Sequence, residues 1–541
     1  MNQAVQAERA RVVHQFRNKL LDGELTTAEE LAAFDDLQAM AAFLADSHAQ
    51  LRNSLRVVDL AQITGKYVRL TTKQEFGLTL YWASNWGANP PSWFAKWISE
   101  HPVYADAFDV LKYVLKKFEH YEMSKADYDT LMLSVNAPGL VGDDGTIFGF
   151  GKYEQLDERW MIAALNYLIN LVHPDDIHAF PNNPIQVATM SPVPNPTRLH
   201  PNPEPVLGII GDWGGGCYQE QGATNMVDSP AKRVLANVKQ QNLDYLFHLG
   251  DTYYAGTDES RLGPNDALEE QENLVDLWPN QGPGRNYTIN SNHEMYGAAQ
   301  GYFKTALLNS GLFDTQNNAS LFALKYPLSQ SGQAWLVLGL DSAYFSDKEN
   351  GIKMYMEGAI GSKKFLDRHQ WQMQEIARLC QNHVGPIMVM THHNPCDTIS
   401  FHTNILYDQV VEAIGRAPTL WLWGHVHQCI VYDRMLIHPN HPNGPVRKSP
   451  TKGRCCGHAA VPYGPAWGLE NSLLPYVAGT HDDAFPAGNP RVYNGFGRVT
   501  LHNDGGFTES YYEVRLPGQP AHEAWSRRWA ASELDAESAE A

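Results

Sequence analysis

Long hydrophobic runs are missing from this 541-residue chain. A membrane-spanning helix needs ~20 consecutive apolar residues. No segment approaches that, so insertion into a bilayer is not expected. Residues 1–16 also lack the apolar core of a signal peptide. As written, the chain is expected in the cytoplasm, unless an export signal has been trimmed from it. Cysteine is sparse: Cys217, Cys380, Cys396, Cys429, Cys455 and Cys456 are the six. Their scatter excludes the disulfide framework of a small secreted scaffold. Cys455 and Cys456 could form a redox pair or bind zinc, but no CxxC partner accompanies them, and buried thiols are the expectation. Positive charge is scarce too. Lys and Arg number 41 against 60 Asp and Glu, a formal net charge of -19. Polyanions reward a basic face, so a general nucleic-acid or anionic-membrane binder is not expected. No internal repeat is visible.

What is present falls into two halves of different character. Residues 1–180 read as a helical N-terminal domain. Thr26 and Glu29 stand at capping-box spacing before a helical apolar pattern that runs to Leu44. A second helix is expected over 106–121, one more after Ser124, and another over 156–172, where apolar residues on nearly all sides imply burial. The aromatic segment 81–97 is either a ligand platform or core packing, and core packing is the simpler reading. Prolines recur through 181–205, which reads as an extended linker. A catalytic domain is expected over 206–520 and a tail over 521–541. In the catalytic part, short apolar runs at 206–210, 245–249, 387–390 and 420–423 end abruptly in polar residues. Helical stretches at 231–241 and 362–380 lie between them, an alternation that predicts a layered α/β fold. Residues 491–515 read as a hairpin turning at 503–506.

Five short motifs sit where the expected strands end, the place where open α/β sheets bind ligands. They are Gly211-Asp212-Trp213-Gly214-Gly215, Gly250-Asp251-Thr252-Tyr253-Tyr254, Asn292-His293-Glu294, Thr391-His392-His393-Asn394-Pro395 and Gly424-His425-Val426-His427. Each alone is a common turn. Together they supply two carboxylates, an amide and at least three imidazoles, donors that suit Zn, Fe and Mn. One aspartate has two oxygens and can bridge two ions about 3.5–4 Å apart, the separation used in two-metal hydrolysis.

This order of motifs resembles the calcineurin-like metallophosphoesterase superfamily over roughly residues 205–430. Many members carry a histidine two residues after the first aspartate, where this chain has Gly214, while Tyr254 stands three residues after Asp251. That exchange is similar to purple acid phosphatases of the small, tartrate-resistant type. The resemblance implies a four-layer α/β/β/α sandwich, here preceded by the all-helical region. It also implies two metal ions. Asp212, Asp251, Tyr254 and His427 would hold Fe(III), and Asp251, Asn292, His392 and His425 a divalent Fe, Zn or Mn. His392 is preferred over His393 because it is the first histidine to leave the apolar strand. Ser291 departs from the family's usual glycine, a mild change if the turn there needs no positive φ.

The activity implied is hydrolysis of a phosphate ester by a metal-activated hydroxide, with His293 as the catalytic group that assists the leaving oxygen. Glu294 would either orient His293 or face solvent. The substrate would be a phosphorylated small molecule or a nucleotide, and phosphodiesterase or pyrophosphatase action by the same site is the alternative. A non-enzymatic scaffold with a degenerate site is the alternative from another class, but it predicts missing ligand types, and none is missing. The helical region carries no ligand of the set. It is expected to shape access or assembly, or to offer a surface to a protein partner, and a cut near Pro192 is expected to spare the metal site.

Overall fold

The structure is a computed structural model. It describes residues 3–50, 81–86, 89–117, 124–126, 160–192, 204–213, 218–219, 226–227, 230–252, 270–362, 370–437, 447–459, 474–481 and 491–534, less 331, 399, 434 and 516–518. Five helices of the N-terminal region are α1 (Gln3–Asp22), α2 (Ala28–Gln50), α3 (Ser92–Glu100), α4 (Pro102–Leu115) and α5 (Trp160–Val172). The cap of α2 lies one residue later than the spacing suggested. Glu30 N–H donates to Thr27 Oγ1 at 3.1 Å and Thr27 N–H donates to the Glu30 carboxylate at 3.2 Å. Glu30 wins over Glu29 because it also pairs with Lys19 of α1. Trp82, Trp86, Phe94 and Trp97 are buried against one another and Phe108, so the aromatic segment is core. All of 127–159 lies outside the described residues, and around Ser124, where a further helix was expected, only 124–126 are described.

Two sheets form the middle of the molecule. The first runs His522–Trp529, Phe507–Glu513, Gly495–Leu501, Val206–Ile210, Tyr245–His248, Asn286–Thr288, and its last three strands are parallel. The second has eight strands, with Ala334–Gly339, Ile387–Thr391 and Leu420–Trp423 parallel at its centre. Apolar runs without polar alternation make sense here because both faces of each central strand are buried. Leu207, Ile209, Tyr245, Phe247, Met388, Met390, Leu420 and Leu422 fill the space between the sheets. Ile387, Val389, Trp421 and Trp423 face outward onto helices Trp371–Cys380 and Ile405–Ile414. Val206, Ile210 and Leu246 face outward on the other side, where Ala231, Val234 and Leu235 of helix Pro230–Val238 cover them. Helix, sheet, sheet and helix make the four-layer sandwich, with the helical N-terminal region before it.

Several boundaries differ from the sequence reading. Residues 522–529, expected as a tail, are a strand paired with 507–513. Trp529 is buried between the sheets and donates from Nε1 to Glu509 Oε1 at 2.7 Å. Glu509 in turn takes two bonds of 2.6 Å from Arg454 of the opposite sheet, a buried bidentate pair. Residues 187–189, inside the expected linker, form an edge strand parallel to 323–325. The N-terminal helices share one continuous apolar core with Trp213, Leu235, Leu274, Tyr296 and Tyr302. Cys455 and Cys456 are buried free thiols on adjacent positions of one strand, so their side chains enter different cores. Among the described residues, no helix is long and apolar enough to cross a membrane.

Candidate metal centre

Parallel strands that end at one level gather the motifs. Ile210 is in register with His248, and Thr391 with Trp423. Asp212 and Asp251 leave the first sheet, Asn292 follows its last strand, and His392 and His425 leave the second sheet. The two sheets are joined at this edge by Asp212, which accepts His425 N–H on Oδ1 at 2.7 Å and His427 N–H on Oδ2 at 2.9 Å. Six of the seven metal-ligand candidates are among the described residues, and Tyr254 lies outside them.

Four of the six carry a left-handed backbone: Asp212 (φ 57), Asp251 (φ 62), His425 (φ 66) and His427 (φ 52). Such a conformation costs a non-glycine residue about 1–3 kcal/mol and persists only where surrounding contacts fix it. The sharp turns at these strand ends are therefore carried largely by the aspartates and histidines themselves. Gly424 has another role: a β-carbon there would collide with the Asp212 carboxylate.

The ring orientations can be assigned from fixed acceptors. His392 Nδ1 is 2.8 Å from the Leu249 carbonyl and must donate to it, which leaves the Nε2 lone pair facing inward. His425 Nε2 is 3.1 Å from the Met356 carbonyl, which likewise leaves Nδ1 as an acceptor. These two lone pairs are 3.2 Å apart. Asn292 Oδ1 lies 2.8 Å from His392 Nε2 and 3.2 Å from His425 Nδ1, and Asp251 Oδ1 lies 3.2 Å from His392 Nε2. Turning the Asn292 amide over would still leave His392 Nε2 facing Asp251 and His425, acceptor against acceptor. Burial drives the His392 pKa down to about 4, so a proton does not resolve the contact at neutral pH. A cation does. Ligand atoms ~2.1 Å from one ion sit about 3 Å from one another when at right angles, which is the spacing found.

A second group lies beside it. His427 Nε2 is 3.3 Å from Asp251 Oδ2, and His293 Nε2 is 3.9 Å from the same oxygen. Asp251 thus faces one group with each oxygen. Burial and the charge of Asp251 push the Asp212 carboxyl well up from its ordinary range. Asp251 is equally buried, yet the imidazoles of His293, His392 and His427 outweigh that burial and hold it low. His425 and His393 are held neutral, His393 with a pKa of about 3, first by burial and then by neighbouring imidazoles. Neutral imidazole is the metal-binding form.

His393 stands beside this centre, in one cluster with His392 and His425, but both its ring nitrogens have other partners. Its Nε2 donates to the Tyr355 carbonyl at 2.7 Å and its Nδ1 accepts from Ser342 Oγ at 2.9 Å. Glu294 is fully buried and does not face solvent. It accepts Thr252 N–H at 2.7 Å and contacts Ser291 Oγ, so it braces the Asp251 turn. Ser291 has an extended backbone (φ −135, ψ 176), so glycine is not needed there. Its role was missed, although Ser291 and Glu294 stand at the S-x-x-E spacing that marks a helix start. Tyr355 and Met356 also escape a sequence reading, because they meet the site through backbone carbonyls, and so does Tyr296, whose hydroxyl reaches Asn292 from the end of the same short helix.

Residues 206–429 match the calcineurin-like phosphoesterase family. The chain carries a calcineurin-like phosphoesterase domain. The candidate ligand clusters lie at the strand ends of that segment. No curated protein sequence matches the whole chain significantly. Among solved structures, a purple acid phosphatase from yellow lupin (Lupinus luteus) seeds shares 15% identity over 62% of this chain and 56% of its own, with a TM-score of 0.28. A 5'-nucleotidase from Candida albicans shares 10% over 62% and 53%, with a TM-score of 0.29. A calcineurin-like phosphoesterase from Bacillus subtilis shares 11% over 62% and 95%, with a TM-score of 0.27. This chain spans little more than half the length of the first two. Likenesses this distant decide neither substrate nor metal.

Proposed function

We propose that the phosphoesterase domain is a dinuclear phosphatase that hydrolyses phosphate esters. The observation that carries this reading is the convergence of unprotonated acceptors, His392 Nε2, His425 Nδ1, Asn292 Oδ1 and Asp251 Oδ1, within 3.2 Å of His392 Nε2. In this reading Asp251, Asn292, His392 and His425 hold a divalent ion, Fe, Zn or Mn. Asp212, Asp251, Tyr254 and His427 hold Fe(III). His393, with both ring nitrogens engaged elsewhere, is a neighbour and not a ligand. When bound, the two cations acidify water, hold phosphoryl oxygens and offset charge during in-line attack.

The protein's own groups do the rest. Asp212 straps the His425–His427 turn to the first sheet through two backbone N–H groups, which keeps both imidazoles at the strand ends. Leu249 and Met356 carbonyls fix which nitrogen of His392 and His425 faces inward. His293 is nearly buried beside Asp251 Oδ2, and it assists departure of the leaving oxygen by giving up a ring proton.

Metal analysis of the purified chain, with turnover measured on a panel of phosphomonoesters, phosphodiesters and nucleoside pyrophosphates, tests the reading. Two metal ions per chain and turnover of phosphate esters are expected. Two ions with preference for diesters would transfer the site to phosphodiesterase chemistry. A chain that binds no metal in saturating Zn(II), Mn(II) or Fe would overturn the dinuclear centre.

A further inference from the structure

The N-terminal region, which supplies no candidate ligand, reaches the metal centre through side chains of α5. We propose that Tyr167 on α5, acting through Asp347, is a positioning residue for the His425 side of the centre. This inference rests on the dinuclear reading above. It extends that reading to a residue outside the family-matched segment, residues 206–429.

The chain of contacts is short and buried. Tyr167 is fully buried, and its hydroxyl donates to Asp347 Oδ2. Asp347 sits in the short helix Ser346–Asn350, and its other oxygen accepts the backbone N–H groups of Lys353 at 3.1 Å and Tyr355 at 2.8 Å. These bonds grip a turn that would not persist unaided, because Met354 (φ 52) and Tyr355 (φ 55) are consecutive non-glycine residues in the left-handed region. Immediately beyond that turn, two carbonyls meet the histidines. Tyr355 O accepts from His393 Nε2 at 2.7 Å, and Met356 O accepts from His425 Nε2 at 3.1 Å.

The last bond matters most. The Met356 carbonyl is what obliges His425 to protonate Nε2 and present Nδ1 to Asn292 and His392. Met356 itself is 41% exposed, so burial does not fix it; the grip behind it does, together with contacts of its sulfur to Asn292 Nδ2 at 3.6 Å and the Tyr296 hydroxyl at 3.5 Å. The same helix makes a second contact on the opposite flank. Asn170 Nδ2 donates to the Tyr296 carbonyl at 3.0 Å, and the Tyr296 hydroxyl accepts from Asn292 Nδ2 at 3.2 Å. The Tyr167 ring packs edge-on against both Tyr296 and Tyr355, with centroids 6.5 and 5.6 Å away. One face of α5 therefore backs both the amide and the imidazole expected to share the divalent ion. Residues that orient a ligand in this way typically change metal affinity by about 10–100-fold when removed.

The experiment uses the metal-stripped full chain titrated with Mn(II), with turnover of p-nitrophenyl phosphate read at each Mn(II) concentration. The variants are Tyr167→Phe, Asp347→Asn and Asp347→Ala, and Tyr113→Phe on the exposed face of α4 is the control. Tyr167→Phe keeps the ring packing and removes only the donor, so it reports even if Asp347→Ala fails to fold. Expected is a loss of about tenfold or more in the affinity of one of two Mn(II) sites, with the other unchanged. Excess Mn(II) should restore kcat, KM for substrate should stay near the native value, and Asp347→Asn should fall between native and Asp347→Ala. Unchanged affinity at both sites in Tyr167→Phe would overturn the proposal. So would equal weakening of both sites with a lowered Tm, which marks a general structural role. If the native chain itself binds fewer than two Mn(II), the dinuclear reading fails first, and that result is separate from any difference between variants.

Discussion

The Ser291 hydroxyl donates to Asp251 Oδ1 at 2.6 Å, so a residue outside the ligand set holds the carboxylate proposed to serve both metal positions. Ser291 Oγ also accepts His293 N–H at 3.1 Å and contacts Glu294. Burial and the charge of Asp251 push the Glu294 carboxyl up, which favours the protonated form that can donate to Ser291. Glu294, Ser291 and Asp251 are thus in direct contact in one buried row.

Ser291→Ala should cost about 1–3 kcal/mol of stability, because it leaves buried acceptors without their donor and removes a helix cap. Metal affinity should fall about tenfold or more. Ser291→Gly should keep the local backbone and lose the same bonds. Urea titration and metal titration of both variants check this, and native metal affinity in both would show that Asp251 is held without Ser291.

His293→Ala separates a proton donor from a metal ligand. As a donor, His293 matters most when the leaving alkoxide is basic and little when it is a stable phenolate. The variant should keep both metals, lose far more activity on alkyl phosphates than on nitrophenyl phosphate, and depend more steeply on leaving-group pKa. Its Nε2 lies 3.9 Å from Asp251 Oδ2, near enough that loss of one metal ion would reassign it as a ligand. Equal losses on all esters with both metals bound would make it a stabiliser of the phosphoryl oxygens.

Tyr254 bears on metal identity. A tyrosinate bound to Fe(III) absorbs visible light, so iron-loaded protein should be coloured and Tyr254→Phe should bleach it. A colourless, fully active protein holding only zinc or manganese would remove Fe(III) and leave hydrolysis standing.

Asp347 gives stability a pH dependence with a defined sign. Burial raises its carboxyl from 3.8 to about 6. The native state therefore binds the proton more tightly than the unfolded chain, and this contribution is fully present below about pH 4 and lost as pH rises through about 6. A shift of about two units corresponds to ~3 kcal/mol. The stability of Asp347→Asn relative to native should rise by up to that amount between pH 4 and 7. A constant difference across the range would show that Asp347 ionises as it does in the unfolded chain.

Division of the chain near Pro192 has a different expected outcome once α5 is seen against the site. A chain lacking residues 1–192 would expose Tyr296, Tyr355 and the shared apolar core. We propose that such a truncation is insoluble or binds metal weakly, and that the two regions fold as one unit. A soluble truncation with native metal content would restore an independent catalytic domain and remove any role for α5.

Some of this protein is set by local pattern. Both-faces-buried strands at 206–210 and 420–423, the hairpin turning near Asp504 and the five polar strand ends are written in consecutive residues, so the sandwich was legible, and so was the placing of six described candidate residues at strand ends. The different surroundings of His392 and His393 were not legible, because they depend on which neighbour accepts each ring proton: Leu249 for one and Tyr355 for the other. Nor was the strand at 522–529, whose partner and whose buried Trp529 contact lie on other parts of the sheet. The sequence alone determined which donors are available and that they sit at strand ends, since residue type and short-range periodicity carry that information. Only the tertiary structure decided which lone pair of each imidazole faces inward, and that a tyrosine more than 200 residues before His425 in the chain stands behind it. Those are contacts between distant segments, and side-chain packing fixes them.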